Sequence, residues 1–154
     1  MKKLYLMRHG HAPGTSEAGV KSDALRPLSD AGRRDAGRMA EQILKRGGAP
    51  SLVLHSPLVR AVQTAAVAAA ALGRTGEAFS FLDNTLPSLE VLAELEKRGE
   101  SVDEVLAVGH QPQIGEIATL LTGAIFEIRP AGIVAVAWEP KPRLLWTLNA
   151  DELE

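Results

Sequence analysis

Apolar positions along this chain follow two rhythms. Residues 4–7, Leu-Tyr-Leu-Met, form an uninterrupted apolar run that stops at Arg8-His9-Gly10. A short unbroken run bounded by polar residues predicts a buried strand feeding a loop. Residues 52–54 and 79–82 repeat that pattern, and residues 105–108 repeat it as a fully apolar run ending at Gly109-His110, a central strand. Between these runs the rhythm changes to a helical one. Ala36, Met39, Ala40, Ile43 and Leu44 lie on one stripe, with Ser29 as N-cap, Asp30 beside it and Gly47-Gly48 as the stop.

A second helix is expected over residues 58–72, with Ser56-Pro57 as N-cap and first helical position and Gly73 at its end. A third is expected over residues 88–98, and a fourth over residues 114–121, closed by Gly123. Residues 133–138 and 144–148 read as a closing hairpin across Pro140 and Pro142. Residues 11–28 hold prolines, glycines, serines and charges, which predicts a long loop of the kind that often carries function. The order is strand, loop, helix, then alternating strands and helices, then two strands. It predicts one α/β domain over residues 1–154, a three-layer sandwich with a mostly parallel sheet and helices on both faces.

Bulk properties narrow the function. The formal net charge is -2 and charged residues make up 23% of the chain. No basic excess points to nucleic acid, and no apolar run approaches the ~20 residues that span a bilayer. The apolar stretch after Met1-Lys2-Lys3 is too short for a signal peptide, so a cytoplasmic location is the default. The chain has no cysteine, which removes disulfides, thiolate metal sites and cysteine nucleophiles together. Nothing in it demands more than a monomer.

Ligands of open α/β sheets sit beyond the carboxyl ends of the strands. Arg8 and His9 fall there, as do His110 and Gln111, and Arg60 falls in the first turns of the helix after the second strand. Two arginines and two histidines in one cleft suit a phosphoryl group, because guanidinium matches phosphate with a fixed donor fork. Ser56 and the helix start behind it would add donors, and Gly10 and Gly109 would let a backbone approach closely. A neutral imidazole is a nucleophile near neutral pH, and neighbouring arginines push its pKa down. Attack by His9 on phosphorus gives a phosphohistidine that water hydrolyses, with Arg8, Arg60 and His110 holding the transition-state charge.

Four runs together resemble the histidine phosphatase superfamily. They are residues 6–10 (Leu-Met-Arg-His-Gly), 28–32 (Leu-Ser-Asp-Ala-Gly), 56–65 (Ser-Pro-Leu-Val-Arg-Ala-Val-Gln-Thr-Ala) and 108–112 (Val-Gly-His-Gln-Pro). The resemblance implies a phosphoglycerate mutase-like fold, with His9 as the phosphorylated residue and Arg8, Arg60 and His110 as the phosphate pocket. In length and in residues 22–29 the chain is most like the small SixA-type phosphohistidine phosphatases. That implies a phosphorylated protein as partner, such as a histidine phosphotransfer domain, and no cofactor.

One departure bears on substrate. Many relatives carry a general-acid carboxylate after the third strand, where this chain has Asn84, with Asp83 as the nearest carboxylate and Glu17 as a loop alternative. An alkoxide leaving group needs a proton in the transition state. A protonated phosphohistidine departs as a neutral ring and needs it far less. The alternatives are a phosphatase for small phosphomonoesters using Asp83 as acid, and a phosphate- or phosphoprotein-binding module without turnover. Arg26 either contacts substrate from the long loop or pins that loop to an acidic neighbour. His11, two residues beyond His9, invites a metal reading that no carboxylate cluster supports. His55 reads as structural, Thr15 and Ser16 as loop residues, and Trp138 and Trp146 as packing for the hairpin.

Overall fold

The computed structural model describes residues 1–153. Six strands form one sheet in the order β3-β2-β4-β1-β5-β6. They are β1 (Lys3–Arg8), β2 (Leu52–His55), β3 (Gly76–Ala78), β4 (Glu104–Gly109), β5 (Ile133–Ala137) and β6 (Arg143–Leu148). The pairs β1–β4, β2–β4 and β2–β3 are parallel, and β5 and β6 join antiparallel at one edge. Five helices accompany them: α1 (Thr15–Ala18), α2 (Asp30–Lys45), α3 (Val59–Leu72), α4 (Ser88–Gly99) and α5 (Gln113–Thr122).

The strand period of two explains the three layers. On β1, Tyr5 and Met7 join a core with Met39 and Ile43 of α2 and Ala61, Ala65 and Ala68 of α3. Leu4 and Leu6 face the other way, onto Val91 and Leu95 of α4 and Ile114 and Ile117 of α5. The central strands are apolar throughout because both faces are covered. The alanines of α3 fill the first core without holding the helix off the sheet. Gly73 and Gly123 end α3 and α5 in the left-handed conformation, at φ 70° and 77°. Ser29 caps α2, accepting from the Gly32 N–H at 3.0 Å. Trp146 packs on the first core and Trp138 on the second. No helix among the described residues is long and apolar enough to cross a membrane.

Three local expectations are corrected. The third strand lies at Gly76–Ala78, and the run expected as a strand is a single 3-10 turn at Ser80–Leu82. Phe79, Phe81 and Leu82 are apolar because they pack into the core under α4. Burial by packing and burial by sheet pairing leave the same mark on so short a run. Helix α3 begins at Val59, with Leu58 at its N-cap position. Ser56 makes a turn two residues earlier, accepting the Leu58 N–H at 3.1 Å. The long loop contains α1 and a 3-10 turn at Asp23–Leu25.

Candidate active site

The sheet register assembles the site. Arg8 pairs with Gly109 in β1–β4, and His55 pairs with Val108 in β2–β4. Three adjacent strands therefore end together, and the residues just beyond them are His9, His110 and Ser56. The ladder runs one step further, since the His9 N–H donates to the Gly109 carbonyl at 3.0 Å and the Ser56 N–H to the Val108 carbonyl at 3.1 Å. Arg60 comes to the same place from the first turn of α3.

His9 is held in one tautomer. Its Nδ1 lies 2.7 Å from the Gly10 carbonyl oxygen, and a carbonyl only accepts, so Nδ1 carries the hydrogen and Nε2 presents a lone pair. The Arg60 Nε–H donates to that Nε2 at 3.3 Å. Burial, opposed by the Gly10 hydrogen bond and reinforced by His110, Arg60 and Arg8, lowers the His9 pKa to about 3. The arginines act in the expected direction, but burial is the larger cause. Both point to a neutral ring near neutral pH.

His110 lies 5.1 Å from His9 between ring centroids. Its Nε2 is 2.7 Å from the Ser56 Oγ, and its Nδ1 is buried without a partner. Burial first, then Arg60, lower its pKa to about 4 against the opposing pull of Asp23 and Asp83. Arg8 donates from Nη1 to the Ile128 carbonyl at 3.0 Å, while its Nε is buried without a partner. A buried guanidinium N–H without a partner is a donor in want of an acceptor.

These four side chains line a cavity of about 330 Å³, together with Arg26, Asp23, Asp83, Asn84, Leu58 and Gln111. Three arginines face two aspartates, so the cavity is cationic in a chain that is slightly acidic overall. A second, mostly apolar groove of about 730 Å³ adjoins it at Gln111, with Leu89, Leu120 and Ile125 on its walls.

Of the remaining sequence candidates, Arg26, Gln111 and Asp83 line the cavity, while Gly10 and Ser56 lie behind it. The sequence reading gives Gly10 to the ligand, whereas the structure gives it to α2. A Cβ on Gly10 would stand 2.7 Å from the Gly32 carbonyl oxygen, and the Gly10 N–H donates to the Thr64 Oγ at 3.0 Å. A Cβ on Gly109 would likewise meet the Ile114 side chain. Ser56 is fully buried and holds His110. Arg26 pins the loop, donating to the carbonyls of Pro13 at 2.9 Å and Ala12 at 3.0 Å and to the Asp23 carboxylate at 2.9 Å. Gln111 lines the cavity, but its Oε1 is taken by the Gly115 N–H at 2.8 Å.

Asp83 also lines the cavity, with Oδ1 accepting from the backbone and hydroxyl of Thr85. Asn84 adopts φ 73°, a conformation asparagine tolerates. Its amide donates to the Gln111 carbonyl at 3.0 Å and accepts from the Gln113 N–H at 3.1 Å. A glutamate there would lose the donor that fastens the His110 loop. His11 bonds Ser29 at 2.8 Å and His55 bonds the Ser56 carbonyl at 2.9 Å. Among the described residues no three histidines or carboxylates gather as metal ligands do.

Two residues of the site are not singled out by the sequence, although each lies inside a run that carries the family resemblance. Thr64 lies one turn beyond Arg60, donates to the Arg60 carbonyl at 2.7 Å and accepts from Gly10. Asp23 takes both terminal nitrogens of Arg60: Nη1 donates to its carbonyl at 2.8 Å and Nη2 to its carboxylate at 3.0 Å. In the sequence Asp23 shows only as a member of the 22–29 run, three residues before Arg26.

The family model of the histidine phosphatase superfamily (branch 1) matches residues 4–85. An uncharacterized protein of Picosynechococcus sp. is 34% identical over 140 residues, covering 87% of this chain and 84% of that protein. The structure of the protein histidine phosphatase SixA complexed with tungstate superposes with a TM-score of 0.88 at 24% identity, covering 99% of both chains. A mutant phosphoserine phosphatase of Entamoeba histolytica in complex with phosphoserine superposes with a TM-score of 0.74 at 17% identity, covering 100% of both. At these identities the two structures establish the fold, and one fold serves both phosphatases.

Proposed function

The chain belongs to the histidine phosphatase superfamily (branch 1) and is a phosphatase, and we propose that it hydrolyses protein phosphohistidine in the cytoplasm, through a covalent intermediate on His9. The observation that carries this reading is the state of His9: a neutral ring with its lone pair on Nε2, inside an arginine-lined cavity. The substrate is a phosphorylated protein of the histidine phosphotransfer type.

In the first step the His9 Nε2 forms a bond to phosphorus as the nitrogen–phosphorus bond of the substrate breaks. The substrate histidine, already protonated on its other ring nitrogen, leaves as a neutral imidazole. In the second step water attacks phosphorus, its protons pass to solvent and phosphate, and His9 is regenerated. Arg8, Arg60 and His110 hold the charge on the phosphoryl oxygens in both steps. Arg8, Arg60 and His110 lining one cavity with His9 supports these roles. Gly10 and Ser56 support the site from behind, and Arg26 and Gln111 form part of its wall.

Three features support phosphohistidine as the substrate. Asn84 stands where an acid is expected and spends its amide on the His110 loop. The pull of Arg26 and Arg60 lowers the Asp23 pKa, so it is a charge and not a proton donor. The apolar groove beside the cavity also offers a protein more surface than a small phosphomonoester can use. The second reading, a phosphatase for small phosphomonoesters, has one observation in its favour: Asp83 lines the same cavity.

Asp83→Asn separates the two. On a phosphohistidine protein the variant keeps activity within about threefold, and the loss on an alkyl phosphate is at least tenfold greater if Asp83 serves as the acid there. Equal large losses on both substrates would remove the argument from the missing acid.

A further inference from the structure

Arg60 has five N–H donors, and their distribution is uneven. Nε points at the His9 nucleophile, while Nη1 and Nη2 each give one hydrogen to Asp23. Two donors remain for phosphoryl oxygens. A guanidinium is planar, so fixing its terminal nitrogens fixes the direction of Nε. Asp23 is itself held from behind, because Arg26 donates to its other carboxylate oxygen at 2.9 Å while gripping the Ala12 and Pro13 carbonyls. A continuous chain of contacts thus runs from the loop after His9, through Arg26, Asp23 and Arg60, back to His9 Nε2.

We propose that Asp23 is a positioning residue for phosphoryl transfer: it aims Arg60 at the nucleophile and thereby at the reacting phosphoryl group. The inference rests on the phosphatase reading above. It gives Asp23 two separable effects. Its hydrogen bonds orient Arg60, which favours the transition state. Its negative charge at the mouth of a cationic cavity opposes anion binding, so removing it does not weaken phosphate affinity. Its side chain is 62% exposed, so substitution leaves the core untouched.

The test measures kcat on a phosphohistidine protein and the inhibition constant of inorganic phosphate for wild type, Asp23→Ala and Asp23→Asn. Asp23→Ala is expected to lower kcat about tenfold to a hundredfold, the scale of a misplaced catalytic group, while phosphate binds as tightly as in wild type or more tightly. Asp23→Asn, which keeps an acceptor for Nη2, is expected to restore most of the lost kcat while keeping the tighter phosphate binding. A wild-type kcat in Asp23→Ala overturns the proposal. So does a parallel loss of kcat and phosphate affinity that asparagine fails to rescue, which is the mark of a disordered loop. Wild type without turnover or adduct would instead defeat the phosphatase reading itself.

Discussion

The Arg60 Nε–H donates to the Nε2 of His9 across 3.3 Å, so a cation rests directly on the lone pair assigned as nucleophile. The contact adds to the burial that keeps the ring neutral. When phosphate enters, that donor can turn from nitrogen to oxygen with little motion. Arg60→Lys keeps the charge and loses the fork. It is expected to lower kcat on a phosphohistidine protein by about 100-fold or more, as removal of a charge-stabilising donor does. A kcat within threefold of wild type would reduce the contact to a resting-state feature.

The two histidines set the pH behaviour. His9 and His110 have pKa values lowered to about 3 and about 4, whereas an unfolded histidine titrates near ~6.5. Neither ring is expected to protonate between pH 7 and 5 in phosphate-free buffer, as read by NMR titration of the ring carbons. A midpoint near ~6.5 for His9 contradicts the assigned burial. The linkage has a definite sign. The unfolded chain binds these protons first, so the stability they leave intact above the unfolded value is lost as pH falls from there toward 4 and 3. Bound inorganic phosphate acts the other way and raises both.

Much of this was legible in the sequence, and the failures share a cause. The strands of residues 4–7 and 105–108 announce themselves because both faces are buried. The cationic cluster announces itself because Arg8, His9 and His110 follow strand ends. Phe79 and Phe81 mislead because packing beneath α4 and pairing in a sheet both demand apolar residues. Ser56-Pro57 reads as a helix cap, yet the chain spends the serine on a turn and on His110. Gly10 reads as room for a ligand, and the room is for Gly32 of α2. Asp23 and Thr64 lie inside the resembling runs 22–29 and 56–65, yet nothing local gives either a role. Their meaning comes from residues 37 and 54 positions away, which only the folded topology supplies.

Thr64 joins the nucleophile loop to the helix that carries Arg60. Thr64→Val keeps the shape and leaves the buried Gly10 N–H without an acceptor. A loss of about 1–3 kcal/mol in unfolding free energy is expected, measured by urea denaturation. It should be accompanied by a lower kcat, because Gly10 also orients His9. No change in either quantity would mean that the bridge carries neither load.

Chelation offers a simple check on the chemistry. The reaction assigned to His9 uses only side chains of this chain, so activity on a phosphohistidine protein is expected to withstand excess EDTA. Loss of activity that added divalent cations restore would require a different mechanism.

The central claim is that His9 becomes phosphorylated during turnover. The direct measurement mixes a phosphohistidine protein with wild type or His9→Ala, quenches in denaturant and looks for phosphate on this chain. Wild type should carry an acid-labile, base-stable adduct mapped to His9, and His9→Ala should carry none and release no phosphate. An enzyme that binds inorganic phosphate yet forms no adduct and releases none, or an adduct that persists in His9→Ala, would contradict it.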